Sequence, residues 1–167
     1  LARLGARSFG LRFEAEEERV LEAIVGAAAA LAERSHGALI VLARETPLDP
    51  LAETGTRLDA EVSRDLLETI FQPRTALHDG AVILRGTRLV AAGCILPLAH
   101  DEALAREFGT RHRAAIGVTR DTDAVAVVIS EESCRISLAV GGQLVKNLDA
   151  AALREMLVLY TAGEGGK

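Results

Sequence analysis

Two short runs of the sequence are almost entirely apolar, and they constrain the fold more than any other feature. Residues 38–43 read ALIVLA, and residues 123–130 read DAVAVVIS. A strand with one face in water alternates polar and apolar residues, whereas a strand covered on both faces does not. Both runs therefore predict buried strands, and helices are needed to cover the sheet that contains them.

The rest of the chain alternates between helical and extended patterns. Apolar residues at helical spacing predict helices over residues 14–34, 63–71, 102–108 and 111–118, the last of these capped by Thr110, and a final helix capped by Asp149. Further strands are predicted over residues 81–84, 89–96, 135–140 and 143–145. Turns at residues 86–87 and 141–142 indicate hairpins, while prolines and a glycine in residues 47–55 indicate irregular structure. We expect an α/β fold, a single globular domain with a mixed, largely buried β-sheet flanked by helices.

The two ends of the chain differ from its middle. We expect one domain over residues 14–162 and a flexible tail over residues 163–167. Residue 1 is Leu rather than Met, and residues 1–13 carry three arginines and no acid. Such a basic lead-in is typical of the cytoplasmic side of a preceding transmembrane helix, although a solvated tail fits it equally well. No stretch approaches the roughly 20 apolar residues of a membrane span, so we expect the chain itself to be soluble.

Charge and composition exclude some classes of function. The net charge of −5 argues against a general nucleic-acid-binding protein, since such proteins carry a broad basic surface. Aromatic residues make up 3% of the chain, so stacking of bases on aromatic platforms is not expected either. Cys94 and Cys134 have no CxxC partner and are interpreted as reduced thiols. An anionic ligand can still bind where cationic groups and a metal are concentrated.

Three polar segments stand at the predicted boundaries of helices and strands. Residues 78–81 (HDGA) precede a strand, residues 110–113 (TRHR) begin a helix, and residues 130–132 (SEE) follow a strand. Taken singly, each has an ordinary structural explanation: a turn, a solvated helix start and an exposed acidic loop. The four histidines show no HExxH-like spacing, so no dedicated metal motif stands out.

Together, the three segments supply the parts of a site for a metal–triphosphate complex. Asp79 offers a carboxylate beside Gly80, where a ligand can approach the backbone closely. Residues 110–113 offer guanidinium groups at a helix start, where unpaired N–H groups and the helix dipole favour an anion. Residues 130–132 add a hydroxyl and two carboxylates, which suit a hard cation and its phosphates.

With these motifs in place, the sequence resembles the diadenylate cyclase (DAC) family. The similarity rests on LHDGAVI at residues 77–83, LP at 96–97, GTRHRAA at 109–115 and VISEE at 128–132. The paired DGA and RHR motifs are the signature of that family, and both occur here in its order and spacing. The resemblance covers about residues 38–145. It implies the family's α/β domain and an enzyme that condenses two ATP molecules into cyclic di-AMP with release of pyrophosphate.

The resemblance also implies roles for individual residues. Asp79 would bind a divalent metal, Mg²⁺ or Mn²⁺, and activate the ribose 3′-hydroxyl. Further metal ligands would be His78 and Glu131. The catalytic set would be Asp79, Arg111, His112 and Arg113, with the last three holding the triphosphate. Contacts to the nucleotide would come from Gly80, Ala81, Leu96, Thr110, Ser130 and Glu131. Ala114 stands where some relatives carry a threonine near the phosphates, so a hydroxyl contact there is not implied.

The implied reaction sets the expected partners. Its product has two equivalent bonds, so two ATP-loaded chains must face each other as a homodimer. The basic lead-in indicates the membrane-tethered class, with residues 14–162 as the catalytic domain at the cytoplasmic face of the cell membrane. No nucleic-acid partner is expected. The alternatives are a nucleotide-binding regulatory module without turnover and a non-catalytic scaffold, and the intact Asp79 and RHR motif weigh against both.

Overall fold

A seven-stranded mixed sheet lies at the centre of the computed structural model, which describes residues 2–161 and, from residue 12 onward, their side chains. The strands are β1 (Ala38–Ala43), β2 (Thr56–Glu61), β3 (Ala81–Arg85), β4 (Arg88–Cys94), β5 (Val125–Ile129), β6 (Ile136–Val140) and β7 (Gln143–Leu148). Their spatial order is β2-β4-β3-β1-β5-β6-β7. Strands β1 and β3 are parallel, and the other neighbouring pairs are antiparallel. The predicted mixed sheet is thereby confirmed.

Helices cover both faces of this sheet. They are α1 (Ala2–Glu33), α2 (Asp49–Ala52), α3 (Arg64–Ile70), α4 (Glu102–Glu107), α5 (Thr110–Asp121) and α6 (Ala150–Thr161). Helices α1, α3 and α6 share one core layer with one face of the sheet, and α5 packs on the opposite face. Strand β1 shows why its sequence lacks alternation: Ile40 and Leu42 join the α1 side, while Leu39 and Val41 join the α5 side.

Most predicted helices and strands are present, and the differences have local causes. Helix α1 begins at Ala2, so the described part of the basic lead-in over residues 1–13 is helical and continuous with the predicted first helix. Asp149 caps α6 as predicted, with Oδ1 accepting a hydrogen bond from the Ala152 amide at 2.8 Å. The cap of α5 is Gly109, and Thr110 is the first helical residue, which corrects the predicted cap. The tail over residues 163–167 lies outside the described residues.

Strand β2 and the short helix α2 were not predicted. Strand β2 lies at the edge of the sheet, where it pairs only with β4 and most of its side chains are exposed. A bulge between Arg57 and Ala60, with Asp59 at φ +47°, interrupts its register. An exposed edge strand with a bulge need not show the regular alternation of a half-buried strand. Within residues 2–161, no helix has both the length and the apolar character that crossing a bilayer requires.

Candidate active site

The strand register brings two of the three polar segments, residues 78–81 and 130–132, to one edge of the sheet. Ala38 pairs with Ile129, Ala81 with Cys94, and Ile129 with Ile136, while Ile40 pairs with Val82. The starts of β1, β3 and β6 therefore meet the ends of β4, β5 and β7. We call this the site edge. It carries the residues flanking those strand ends, among them Asp79 before β3 and Ser130 after β5.

The order of the strands sets the spacing along the site edge. Strand β1 separates β3 from β5, and neighbouring strands lie about 4.8 Å apart. Asp79 and Ser130 are thus attached to strands about 10 Å apart. A ligand that contacts both segments must therefore span about 10 Å.

The start of helix α5 closes over the middle of the site edge. Its first turn contains no acidic residue, and no side chain described here caps it, so its first N–H groups can serve an anion. Arg111 in this turn is largely buried, with 19% of its side chain exposed. Its Nη1 lies 3.3 Å from Oε2 of Glu131, the residue after Ser130. This ion pair fixes the guanidinium between α5 and the end of β5.

A cleft of about 670 Å³ opens between the start of α5, the ends of β5 and β7, and the start of β6. Of the predicted site residues, its walls include Thr110, Arg111, His112, Ser130 and Glu131. The HDGA segment, Leu96 and Arg113 do not line it. Of the predicted phosphate-binding residues, the structure thus brings Thr110, Arg111 and His112 together, while the HDGA segment lies at the start of β3, outside the lining of the cleft.

Arg113 is separated from Arg111 by the geometry of the helix. Residues two apart do not share a helix face, and only Arg111 reaches the cleft. The Nε atoms of Arg111 and Arg113 are both buried without a partner among the described residues. Of the predicted pair of arginines, Arg111 lines the cleft and Arg113 does not, and the predicted role of Arg113 stays a prediction.

His112 lines the cleft with its ring packed against an aromatic side chain. The rings of His112 and Phe108 are stacked, with centroids 5.5 Å apart and planes inclined by 24°. Burial, followed by the positive charges of Lys146 and Arg111, lowers the pKa of His112 below its ordinary value. The imidazole is therefore neutral at neutral pH. It can offer one N–H donor to a phosphate, but it carries no positive charge there.

The presence of glycine at position 80 and of alanine at position 81 has a structural explanation that involves no ligand. Gly80 has φ +113°, and a β-carbon there would lie 2.7 Å from the carbonyl oxygen of Cys94. Close packing against β4 thus requires glycine at this position. Ala81 is fully buried in the core on the α5 side. Asp79 is different: it is exposed, and no hydrogen bond or ion pair involves its carboxylate within residues 12–161.

His78 is oriented by its neighbour on the loop. Its Nδ1 donates a hydrogen bond to the Thr75 carbonyl at 2.7 Å. In a neutral ring, that bond places the proton on Nδ1 and leaves Nε2 free to ligate, an arrangement common in metal-binding histidines. The predicted metal ligands do not gather as a trio, because Glu131 pairs with Arg111 instead. No cluster of three or more ligating side chains occurs in the described part of the chain. The adjacent His78 and Asp79 fit a cation that takes its other ligands from substrate phosphates.

Leu96 belongs to the core more than to the surface. It is 6% exposed and packs on the α5 side of the sheet, so an adenine could touch only a small part of it. The preceding residue, Ile95, is 71% exposed and was not predicted as a site residue. Neighbouring apolar residues after a strand cannot be ranked by exposure from sequence alone.

Several cleft residues were also missed. Glu107, Phe108, Arg135 and Lys146 line the cleft from α4, β6 and β7. Nothing in their local sequence marks them, since their proximity depends on the order of the strands in the sheet. The one available signal was the position of residues 107–108 immediately before the RHR helix start.

Comparison with known proteins finds matches over most of this chain. Residues 25–144 match the DAC family, described as "DisA bacterial checkpoint controller nucleotide-binding". The diadenylate cyclase of Listeria monocytogenes is 43% identical over 150 residues, covering 90% of this chain and 55% of the Listeria protein. The chain therefore spans about half the length of this relative.

Solved structures show the same fold. The crystal structure of a double mutant of DacA from Staphylococcus aureus superposes with a TM-score of 0.84 at 38% identity, covering 88% of this chain and 98% of that one. A hypothetical membrane-spanning protein from Bacillus cereus gives a TM-score of 0.72 at 46% identity, covering 75% of this chain and 61% of the other. The family match, the relative and the fold agree: this chain belongs to the DAC family.

Proposed function

We propose that this chain is the catalytic domain of a diadenylate cyclase, which condenses two ATP molecules into cyclic di-AMP. One observation carries the proposal. Along the site edge, the strand order β4-β3-β1-β5 places the Ile95–Leu96 segment, Asp79, Gly37 with Arg111, and Ser130 in sequence. This is the order of the base, the ribose and the phosphates in ATP. The name of the Listeria relative supports the same activity.

Each segment then has a chemical task. The unpaired Asp79 carboxylate accepts a hydrogen bond, and then the proton, from the ribose 3′-hydroxyl. Arg111 and the N–H groups of the α5 start hold the phosphates and stabilise the charge that develops on them. A divalent cation held by His78 and Asp79, Mg²⁺ or Mn²⁺, would lower the pKa of that hydroxyl and neutralise phosphate charge. The side chains position the reacting groups and stabilise charge.

The reaction requires two chains. Each of its two steps forms a bond from the 3′-oxygen of one ATP to the α-phosphorus of the other. The bond between that phosphorus and the oxygen bridging the α- and β-phosphates breaks, and pyrophosphate leaves. Each chain offers one Asp79 and one helix start at Thr110. Two identical linkages therefore need two chains related by a two-fold axis. We propose a homodimer, formed face to face through the site edges, as the active unit.

We further propose that the complete protein holds this domain at the cytoplasmic face of a membrane. The three arginines in residues 1–13, without an acid, support a position next to a membrane surface. The Bacillus cereus relative, described as membrane-spanning, supports the same placement. A tether of this kind would raise the local concentration of domains for pairing.

Incubation of the purified chain with ATP and either MgCl₂ or MnCl₂ tests the activity. Mass spectrometry should identify cyclic di-AMP, with two pyrophosphates released for each molecule formed. The matched variant Asp79→Asn should form no product while it still binds ATP and melts at the same temperature. Binding of ATP without any product from the unmodified chain would instead indicate a regulatory nucleotide-binding module.

A further inference from the structure

Lys146 occupies a distinctive position on the wall of the cleft. It is the only lysine in residues 2–161, because the other lysine of the sequence is Lys167. Its side chain projects from β7 and is 49% exposed. The ammonium forms an ion pair with Glu107 and lies 4.6 Å from the centroid of the Phe108 ring. Lys146 lines the same cleft as Arg111 and Ser130.

The strand order relates the position of Lys146 to the direction in which a bound polyphosphate would extend. Beyond Ser130 on β5, the site edge continues through β6 to β7, where Lys146 lies. If the ribose lies at Asp79 and the first phosphates at Arg111, the rest of the polyphosphate extends toward β7. This step rests on the proposed function, since it takes ATP as the ligand.

We propose that Lys146 binds the terminal phosphates of ATP, and later the leaving pyrophosphate, in competition with Glu107. Without nucleotide, the Glu107 carboxylate and the Phe108 ring hold the ammonium at the cleft wall. A carboxylate–ammonium pair with both side chains about half exposed contributes little stability. Phosphate oxygens carry more charge than one carboxylate, so they can displace it.

A purely structural role for Lys146 predicts a different pattern. In that case, the ion pair only ties α4 to β7, and loss of either partner has the same effect on nucleotide binding. Under the proposal, the two losses have opposite effects. Removal of the lysine charge removes a phosphate ligand, whereas removal of the Glu107 charge removes a competitor.

Calorimetric titration of the full chain distinguishes these cases. The ligand is an ATP analogue with a methylene bridge between its α- and β-phosphates. Because this analogue cannot release pyrophosphate, the titration measures binding alone. Lys146→Met keeps an aliphatic stem over Phe108 and should weaken analogue binding about tenfold, the loss of one charge-assisted contact. Lys146→Arg should restore most of the affinity. Glu107→Gln should strengthen binding, and AMP should bind all the variants equally. Arg85→Met, which removes a charge at the opposite end of β3, should leave both affinities unchanged.

Other results would overturn the proposal. Equal analogue affinities for Lys146→Met and the unmodified chain would do so while leaving the proposed function intact. A loss of affinity in Glu107→Gln would show a structural tie instead. Failure of the unmodified chain to bind the analogue would overturn the proposed function together with this inference.

Discussion

The guanidinium of Arg111 rests against the α-carbon of Gly37. A β-carbon at Gly37 would lie 2.8 Å from Cζ of Arg111 and 3.2 Å from Oε2 of Glu131. Because Gly37 has no side chain, the Arg111–Glu131 pair can occupy the space just before the start of β1. This contact joins the strand start, the helix start and the end of β5 at the centre of the site edge.

The first prediction concerns that contact. Gly37→Ala should displace the end of the Arg111 side chain but leave the backbone undisturbed, since φ at Gly37 lies outside the left-handed region. ATP affinity should fall about tenfold, as for a lost charge-assisted contact, while the melting temperature changes little. In an Arg111→Ala background, Gly37→Ala should have almost no further effect, because the two changes act through one group. Additive losses in this double-mutant cycle would contradict the account.

A second prediction separates glycines by the space around them. Gly80→Ala combines a strained backbone at φ +113° with overlap against the β4 backbone. It should lower the free energy of unfolding by at least about 1–3 kcal/mol, measured by urea denaturation. Gly109→Ala is the comparison variant: nothing described lies within 4 Å of a β-carbon there, so it should lose only the N-cap preference for glycine at the start of α5 and be destabilised less than Gly80→Ala. Similar stabilities for the two variants would show that β4 does not require glycine at position 80.

A third prediction concerns the two thiols. Burial raises the pKa of the Cys94 thiol to about 11, partly offset by a hydrogen bond from the Gly55 backbone. Cys134 is exposed. Because thiolates are the reactive form, iodoacetamide at pH 8 should label Cys134 quickly and Cys94 only on unfolding. Peptide mass analysis identifies them, and early labelling of Cys94 would contradict its burial.

A fourth prediction follows from Asp123. Desolvation acts to raise its pKa, but hydrogen bonds from the Thr46 and Glu45 amides, at 3.0 and 2.9 Å, outweigh that effect and lower it. The lowered pKa means that ionised Asp123 stabilises the fold above pH 3.8, the ordinary pKa, and that this contribution is lost as pH falls through the folded-state pKa.

The stabilities of the unmodified chain and of Asp123→Asn, measured as a function of pH, test whether folding lowers the pKa of Asp123. At neutral pH the variant should be less stable by about 1 kcal/mol, a small value because the carboxylate is exposed. The difference should shrink as the pH falls below 3.8. A difference that grows toward acidic pH would show that the pKa is shifted the other way.

The buried strands were predictable because burial on both faces leaves a direct mark on composition. ALIVLA in β1 could not alternate once α1 and α5 covered opposite faces. Edge strand β2 leaves no such mark, since one neighbour and an exposed surface place few demands on its side chains. The cap of α5 was placed one residue late because Thr110 is a preferred capping residue, whereas the structure uses the preceding Gly109.

The candidate site was predictable only as far as its motifs. HDGA, RHR and SEE mark strand and helix ends, and the sheet brings those ends together. The separation of Arg113 from Arg111 follows from helix geometry and could have been foreseen. The positions of Glu107 and Lys146 could not, because they depend on β7 lying two strands beyond β5.

In the proposed mechanism, one chain binds one ATP molecule but supplies the groups for only one of the two bonds of the product. Mixing the unmodified chain with increasing amounts of Asp79→Asn, at constant total protein and with free exchange of partners, tests it most directly. Mixed pairs retain one working Asp79, so they should release a linear dinucleotide intermediate. Cyclic di-AMP, measured by mass spectrometry, should fall with the square of the unmodified fraction. A fall in direct proportion to that fraction, without linear product, would show that a single chain completes both bonds and would contradict the account.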